Sequence, residues 1–241
     1  MRGAASARRE TVDELKKKYK SAKRSELFKG LPSFVSKEVL SSAQSRDFAA
    51  GEFIYFAGDP MKQLLLLTDG RVKKSHLIES GGEVIIRLTV PGEVISDPAW
   101  APGTSHASTA QALQDCKVLA WESATFGAAL EYFPGLQRNA KRILARRLAE
   151  LERRFCEISN GTASPRLANS LVHLADRIGQ RVNSHIEIGV SQEALGQMTA
   201  MTSTSVCRLL NTWKGQGLVK LRKKTIEIHS VPRLVCLSRS R

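Results

Sequence analysis

The chain has 241 residues, which is long enough for two domains that each bury a core. Its formal net charge of +14 and pI near 10.0 require a polyanionic partner or surface. It contains no apolar run of about 18 residues or more, which argues against a membrane-spanning helix. The first 25 residues also lack the apolar segment of a secretory signal, so we expect a cytoplasmic protein that does not engage a membrane.

The four cysteines lie far apart in the sequence and form no C-x-x-C pair. This spacing argues against a zinc ribbon and against an iron–sulfur cluster held by clustered thiolates. The sequence therefore predicts no metal site, and we expect the cysteines to be free thiols.

Residues 1–30 form a predicted basic N-terminal arm. A helical pattern with a thin apolar stripe, at Leu15, Tyr19 and Ala22, runs through a dense set of lysines and arginines. We expect a solvated charge run that docks only loosely.

Residues 31–135 have the pattern of an all-β sensor domain. After a short helix at Phe34–Leu40, segments of four to eight residues alternate with glycine turns, as at Gly58-Asp59-Pro60 and Asp69-Gly70. Regular spacing of this kind predicts a sandwich or barrel. Ser96–His106 interrupts the strands with prolines and a glycine, and an irregular segment across a barrel mouth is where a small ligand would bind.

A helix is predicted at Ser123–Glu131, and residues 136–158 then form a single long helix. Five apolar residues spaced four, three, four and three apart define a heptad seam on this helix: Leu144, Leu148, Leu151, Phe155 and Ile158. A basic helix with one narrow apolar seam pairs best with its own copy, so we predict that the seam is a dimer interface.

Residues 159–241 are predicted to form a second domain. Ser159-Asn160-Gly161 ends the long helix as a hinge, and Ser164-Pro165 is predicted to cap and begin the next helix, which Gly179 closes. Ile186 and Ile188 suggest a short strand. Ser191 can then cap a helix to Met198.

After a turn, Thr202 can cap a second helix to about Gly215, and this spacing is typical of a helix-turn-helix. Val206, Leu209, Leu210 and Trp213 define its inward face. The other face carries short polar residues and one arginine, which suits base reading in a major groove: Ser203, Thr204, Cys207, Arg208 and Asn211.

The helix pair is followed by a predicted β-hairpin. Leu218–Leu221 and Thr225–Ile228 alternate as strands around a turn at Arg222, Lys223 and Lys224. A hairpin with three cations at its tip is placed to contact phosphates. Helix pair and basic wing together predict a winged helix-turn-helix that binds double-stranded DNA.

In this order of domains the chain resembles the family of the cyclic-AMP receptor protein and the fumarate–nitrate regulator, over roughly Phe28–Ile228. The resemblance is carried by short matches along the chain, which include Gly51-Glu52-Phe53-Ile54, Asp69-Gly70-Arg71-Val72, Pro91-Gly92-Glu93, Ala145-Arg146-Arg147-Leu148 and Arg208-Leu209-Leu210. It implies an α+β fold with a cyclic-nucleotide-binding-like β-roll, a long dimerisation helix and a winged helix-turn-helix. It further implies a homodimeric transcription regulator that binds an inverted-repeat site and works with RNA polymerase.

The effector site departs from the family pattern. Cyclic-AMP binders of this family open their phosphate cassette with Gly-Glu and close it with Arg-Ser, whereas the matching positions here are Ser96-Asp97 and Ala107-Ser108. An alanine cannot make the charge-assisted hydrogen bonds that an arginine gives a cyclic phosphate. We therefore do not expect cyclic AMP to bind, although Ser108 retains some capacity to bind phosphate.

Several alternatives remain open on the sequence alone. His76 and His106 lie in the sensor half, so haem stays a candidate cofactor. A cupin-like enzyme with an accessory DNA-binding domain needs clustered histidines and a carboxylate, and these two histidines lie far apart. A nonspecific nucleoid protein is opposed by the large sensor roll and the weakly charged reading face. We expect no catalytic residues and leave the effector unassigned.

Overall fold

A computed structural model describes residues 18–78, 82–96, 103–160, 162–223 and 225–239. The chain divides into two compact units. The first comprises the described residues up to His76 together with Arg87–Leu148, and the second comprises those of Leu77–Ile86 and those from Ala149 onwards. None of the helices in the described ranges is long and apolar enough to cross a membrane.

The described strands of the N-terminal half form a β-roll of two sheets. One sheet has the order β1 (Gln44–Phe48), β7 (Cys116–Glu122) and β3 (Gln63–Asp69). The other has the order β2 (Phe53–Tyr55), β6 (Thr109–Ala112), β4 (Val72–Leu77) and β5 (Glu83–Thr89).

Strand β3 reads as a continuous leucine run because both of its faces are buried. Leu65 and Leu67 point into the core between the two sheets, while Leu64 and Leu66 point to the opposite side. Successive side chains of a strand alternate between faces, so an uninterrupted apolar run is expected where each face has a cover. Helices provide the cover on the outer side.

That outer cover consists of α1 (Ser33–Ser41), α2 (Ser123–Tyr132) and the start of the long helix α3 (Pro134–Asn160). Trp121 lies in this core and donates its indole N–H to the carbonyl of Val39 at 2.7 Å. Leu27 and Phe28, from the predicted N-terminal arm, are buried in the same core. Lys16 and the arginines at positions 8 and 9 of that arm lie outside the described residues.

The second unit contains, after α3, a small sheet and further helices. Its elements are α4 (Ala163–Ile178), β8 (Gln180–Val182), β9 (His185–Ile188), α5 (Gln192–Thr199), α6 (Ser203–Gly215), β10 (Val219–Arg222), β11 (Thr225–Ile228) and α7 (Val231–Arg239). The strand order is β10-β11-β9-β8, and α7 packs against α4. Leu171, Leu195, Leu210 and Leu234 are fully buried in this unit.

The structure corrects the sequence predictions at several points. Helix α4 begins at Ala163 with Thr162 as its N-cap, so Ser164 is not the cap and Pro165 occupies the third helical position. Pro165 is still tolerated, because the first turn of a helix leaves its N–H groups free. Strands β1 and β8 and helix α7 were not predicted, since none is long or strongly periodic. Gly161 of the predicted hinge lies outside the described residues.

Candidate nucleic-acid interface

The helix-turn-helix is fixed by two side-chain caps. Ser191 Oγ accepts a hydrogen bond from the backbone N–H of Ala194 at 3.0 Å at the start of α5. Thr202 Oγ1 accepts one from Ser205 N–H at 3.2 Å at the start of α6. Each cap satisfies a backbone donor that has no partner within the helix, so both predicted caps are confirmed.

The turn between the two helices depends on close backbone approach. Ala200 adopts a left-handed conformation with φ 51°, which ends α5 and reverses the chain. A Cβ atom on Gly196 would lie 2.7 Å from the carbonyl oxygen of Met201. Because that neighbour is backbone and cannot move aside cheaply, Gly196 allows α5 to pack tightly on the turn.

Helix α6 has one buried face and one exposed face. Val206 and Leu210 are fully buried and Trp213 nearly so, whereas Leu209, predicted to face inward, is only half-buried. Ser203, Thr204 and Arg208 are exposed and Cys207 is half-buried. The packed face therefore holds the helix by its apolar residues and leaves most of the predicted reading residues accessible.

The reading residues make few contacts with one another. Asn211 Nδ2 donates to Cys207 Sγ at 3.3 Å, so this thiol is partly occupied within its own helix. Among the described residues, the guanidinium of Arg208 has no hydrogen-bond or ion-pair partner. Thr212 Oγ1 donates a hydrogen bond to the backbone carbonyl of Arg208, and this bond does not involve the Arg208 side chain. Arg208 is thus a free bidentate donor near the start of α6.

The wing is a tight hairpin formed by β10 and β11. Arg222 pairs with Thr225 in the ladder, so Arg222 belongs to strand β10 and not to the turn as predicted. Arg222 Nε donates to the Glu227 carboxylate, and this bond raises the pKa of Arg222 and lowers that of Glu227. Lys223 is exposed at the tip, while Lys224 lies outside the described residues.

The predicted seam of α3 lies on the surface of the chain. Leu148 is 59%, Leu151 51%, Phe155 72% and Ile158 48% exposed, and Leu144 is half-buried. Exposed large apolar side chains that follow one helix stripe indicate an interaction surface.

Two of the three predicted effector residues, Ser96 and Ser108, lie within the described residues. Ser96 is fully buried, and its hydroxyl accepts from Leu65 N–H at 2.8 Å and donates to Gln63 O at 3.0 Å. The Ser96 hydroxyl is therefore already used in hydrogen bonds that hold its segment to β3. Ser108 is also buried, Ala107 is exposed, and Asp97 lies outside the described residues.

The two histidines of the sensor half occupy different environments. His106 is buried and its ring stacks on Tyr55, with ring centroids 3.5 Å apart. His76 is exposed on β4. Stacking gives His106 a packing role beside Tyr55.

A buried arginine near the effector segment was not predicted. Arg147, on the inner side of α3, is 8% exposed and donates to the carbonyls of Val94 and Ser96. It ties the long helix to the chain that leads into the predicted ligand segment. The surrounding sequence is rich in arginine and lysine. Arg147 differs from Arg142 and Arg146 only because it lies on the buried face of the helix.

A β-roll, a long helix with an exposed seam and a winged helix-turn-helix together define a sensor-linked DNA-binding protein. Comparison with known families agrees: residues 45–132 match the cyclic nucleotide-binding domain and residues 165–237 match the Crp-like helix-turn-helix domain.

Individual relatives cover most of the chain. Electron transport regulator A of Shewanella oneidensis is 29% identical over 74% of this chain and 72% of the relative. The cyclic AMP receptor protein of Thermus thermophilus is 27% identical over 86% of this chain and 93% of the relative. The structure of FixK2 from Bradyrhizobium japonicum superposes with a TM-score of 0.73 at 22% identity, covering 83% of this chain and 98% of that one. This chain belongs to the Crp/Fnr family of transcription regulators.

Proposed function

We propose that this protein regulates transcription as a homodimer that binds an inverted-repeat DNA site, one half-site for each copy of α6. The observation that carries the proposal is the exposed polar face at the start of α6, where the Arg208 guanidinium has no partner among the described residues. A helix presented in this way fits a major groove, in which each base pair displays its own donor and acceptor pattern.

The residues on this face give a specific expectation for the half-site. Arg208 can bond O6 and N7 of one guanine together, which is the most common specific contact between proteins and DNA. Thr204 stands one turn earlier, where relatives of this family pair a glutamate with the arginine. Threonine can donate or accept through its hydroxyl and can touch a thymine methyl. At the base pair beside the fixed guanine, the protein should therefore show a weaker sequence preference or a preference for A·T.

Selection of binding sites from random DNA tests this proposal. The wild-type protein should recover an inverted repeat with one strongly fixed G·C pair in each half. Arg208→Ala should lose preference at that pair and weaken binding by about 1–3 kcal/mol per contact. Arg46→Ala, which removes the same charge from an exposed position on β1, is the matched control and should recover the wild-type motif.

Two outcomes would count against the proposal. Recovery of no motif would identify a nonspecific DNA-binding protein whose net charge alone supplies the affinity. A motif that is unchanged in Arg208→Ala would show that α6 does not read the base in the way we infer.

The proposed dimer is supported by the exposed seam of α3. Its apolar side chains repeat at heptad spacing and together form one stripe. A second copy of the same helix offers a matching stripe, because an interface around a twofold axis uses the same patch on both subunits. Charged substitutions at Leu148 and Leu151 together should separate the dimer and abolish binding to the full inverted repeat.

We further propose that the sensor does not respond to cyclic AMP. Ala107 stands where the family's cyclic-AMP binders place an arginine, and the Ser96 hydroxyl is already used in bonds to β3. Calorimetry should show no micromolar binding of cyclic AMP. Micromolar affinity that survives substitution of the residues around Ala107 would mean that this cassette is not the ligand site.

Within this proposal the protein acts in the cytoplasm, without catalysis of its own, and cooperates with RNA polymerase at its target promoters. A footprint that overlaps or adjoins the polymerase site, together with changed transcript yield in a purified system, would support this part. Binding without any effect on transcript yield would contradict it.

A further inference from the structure

The polar face of the C-terminal sheet carries a cluster of imidazoles and carboxylates. His185 and Glu187 stand two residues apart on β9, so their side chains share one face. Glu227 on β11 pairs directly with Glu187 in the antiparallel ladder, and His229 lies two residues beyond Glu227. Four side chains with metal-binding atoms, three from β9 and β11 and one from the residue that follows β11, are thereby brought to one patch.

The distances within this patch are short. His185 Nε2 lies 3.2 Å from Glu187 Oε1 and 4.0 Å from Glu227 Oε2. His229 Nε2 lies 3.7 Å from the same Glu227 oxygen, and the two imidazole centroids are 5.3 Å apart. One ligand atom from each of His185, Glu187 and Glu227 falls within 4.8 Å of the others.

Charge in the patch is arranged around Glu227. Two carboxylates directly opposite each other on one face of a sheet repel, and the Glu227 side chain is only 2% exposed. Arg222 neutralises one side of the carboxylate through Oε1. The other oxygen, Oε2, faces His229, His185 and the Lys220 ammonium at 3.9 Å, all beyond hydrogen-bond distance. The buried Oε2 therefore points into the gap between the two imidazoles.

We propose that His185, Glu187, Glu227 and His229 form a binding site for a divalent transition-metal ion of the Zn²⁺ type. Imidazole nitrogens combined with carboxylate oxygens are the donors that Zn²⁺ and its neighbours prefer, whereas Mg²⁺ and Ca²⁺ prefer all-oxygen sites.

The spacing fits this class of ion. Zn²⁺ holds such ligands at about 2.0–2.2 Å, so neighbouring donor atoms stand roughly 3.3–3.6 Å apart. The separations of 3.2, 3.7 and 4.0 Å given above lie near this range, and side-chain rotation in the partly exposed groups can bring the donor atoms closer together. Lys220 is 57% exposed and can swing away from Oε2. Arg222 would remain on Oε1 as the partner that orients the ligating carboxylate.

The position of the site gives it a consequence for the wing. An ion there would link β9 to β11 and add positive charge beside β10. The ion would also neutralise the Glu227 carboxylate, so the Lys220 ammonium would no longer be attracted to Glu227. Both changes strengthen the positive potential of the wing, so metal-loaded protein should bind DNA more tightly at low salt than metal-free protein.

Metal titration tests the site without reference to DNA. Untagged protein, freed of metal with a chelator, is titrated with Co²⁺ while its visible absorption is recorded, and Zn²⁺ is then added in competition. We expect one ion per chain, with bands typical of nitrogen and oxygen ligands. His185→Gln and His229→Gln should each weaken Co²⁺ affinity at least about tenfold, which is about 1.4 kcal/mol. His76→Gln, at an exposed histidine of the roll, should leave the affinity unchanged.

These variants separate a true site from adventitious binding. His185 and His229 side chains are partly exposed, so their replacement should preserve the fold, which thermal melting of the metal-free proteins verifies. Zn²⁺ should raise the melting temperature of the wild type but not that of a variant that carries both His185→Gln and His229→Gln. Equal Co²⁺ affinity in wild type and variants, or bands that show thiolate ligands, would overturn the proposal.

Discussion

Phe155→Ala measures how much the exposed seam of α3 contributes to dimerisation. Phe155 is 72% exposed in the single chain, so most of its burial must come from a partner if the seam is an interface. Complete burial of a phenylalanine side chain stabilises by about 1.5–3 kcal/mol, so burying the exposed 72% of Phe155 in the dimer should contribute about 1–2 kcal/mol. With one copy on each protomer, the dimer should lose about 2–4 kcal/mol, equivalent to a roughly 30- to 700-fold rise in its dissociation constant.

Sedimentation velocity over a dilution series, without DNA, gives this constant directly. Phe34→Ala is the matched control, because Phe34 is 66% exposed and belongs to a different helix, α1. Neither substitution removes a buried side chain, so the melting temperature of the isolated protomer should change little. A dissociation constant within threefold of wild type for Phe155→Ala, or an equal shift for Phe34→Ala, would refute the seam as the dimer interface.

Three further outcomes follow from particular residues. Lys223→Ala should weaken binding to all DNA sequences alike and lower the salt slope by about 0.9 for each phosphate that the lysine no longer neutralises, which titrations at several salt concentrations measure. Gly70→Ala should destabilise the fold at least about 1–3 kcal/mol more than Gly51→Ala in urea unfolding. Both glycines have positive φ, but only a Cβ on Gly70 would lie 2.5 Å from the carbonyl oxygen of Asp115. Burial, reinforced by Arg177, Arg153 and Arg154, lowers the pKa of His173 to about 4 from 6.5. The unfolded chain therefore takes up this proton first, and stability should fall as pH drops from 6.5 towards 4, less steeply in His173→Gln.

Much of the fold could be predicted because its signals are local. The caps Ser191 and Thr202 each precede, by three or four residues, the first apolar residue of a helical pattern, and the structure confirms both. The glycine turns predicted the short strands of the roll, and the apolar pattern over residues 136–158 predicted one long helix, which the structure extends to Pro134–Asn160. Each signal lies within one element, so the periodicity of the sequence was sufficient to find it.

Elements with weak local patterns were missed. Helix α7 begins at Val231 and contains Pro232, and its stability comes from packing against α4, where Leu234 is fully buried. Strand β8 has three residues and is defined by its pairing with β9. Short elements of this kind form because a neighbour already offers a surface, which no local pattern can reveal.

The amino-acid sequence by itself determined the order of the domains, most of the apolar face of α6 and the residue types on its reading face. Only the tertiary structure decided how charged and polar side chains are used. It paired Arg222 with Glu227, while the contact of Arg222 with phosphate stays a prediction. It also occupied Ser96 with bonds to β3 and buried Arg147 against Val94 and Ser96. Periodicity encodes which face of an element is buried, but the partner of a charge depends on which strands and helices meet, and those contacts join residues far apart in the chain.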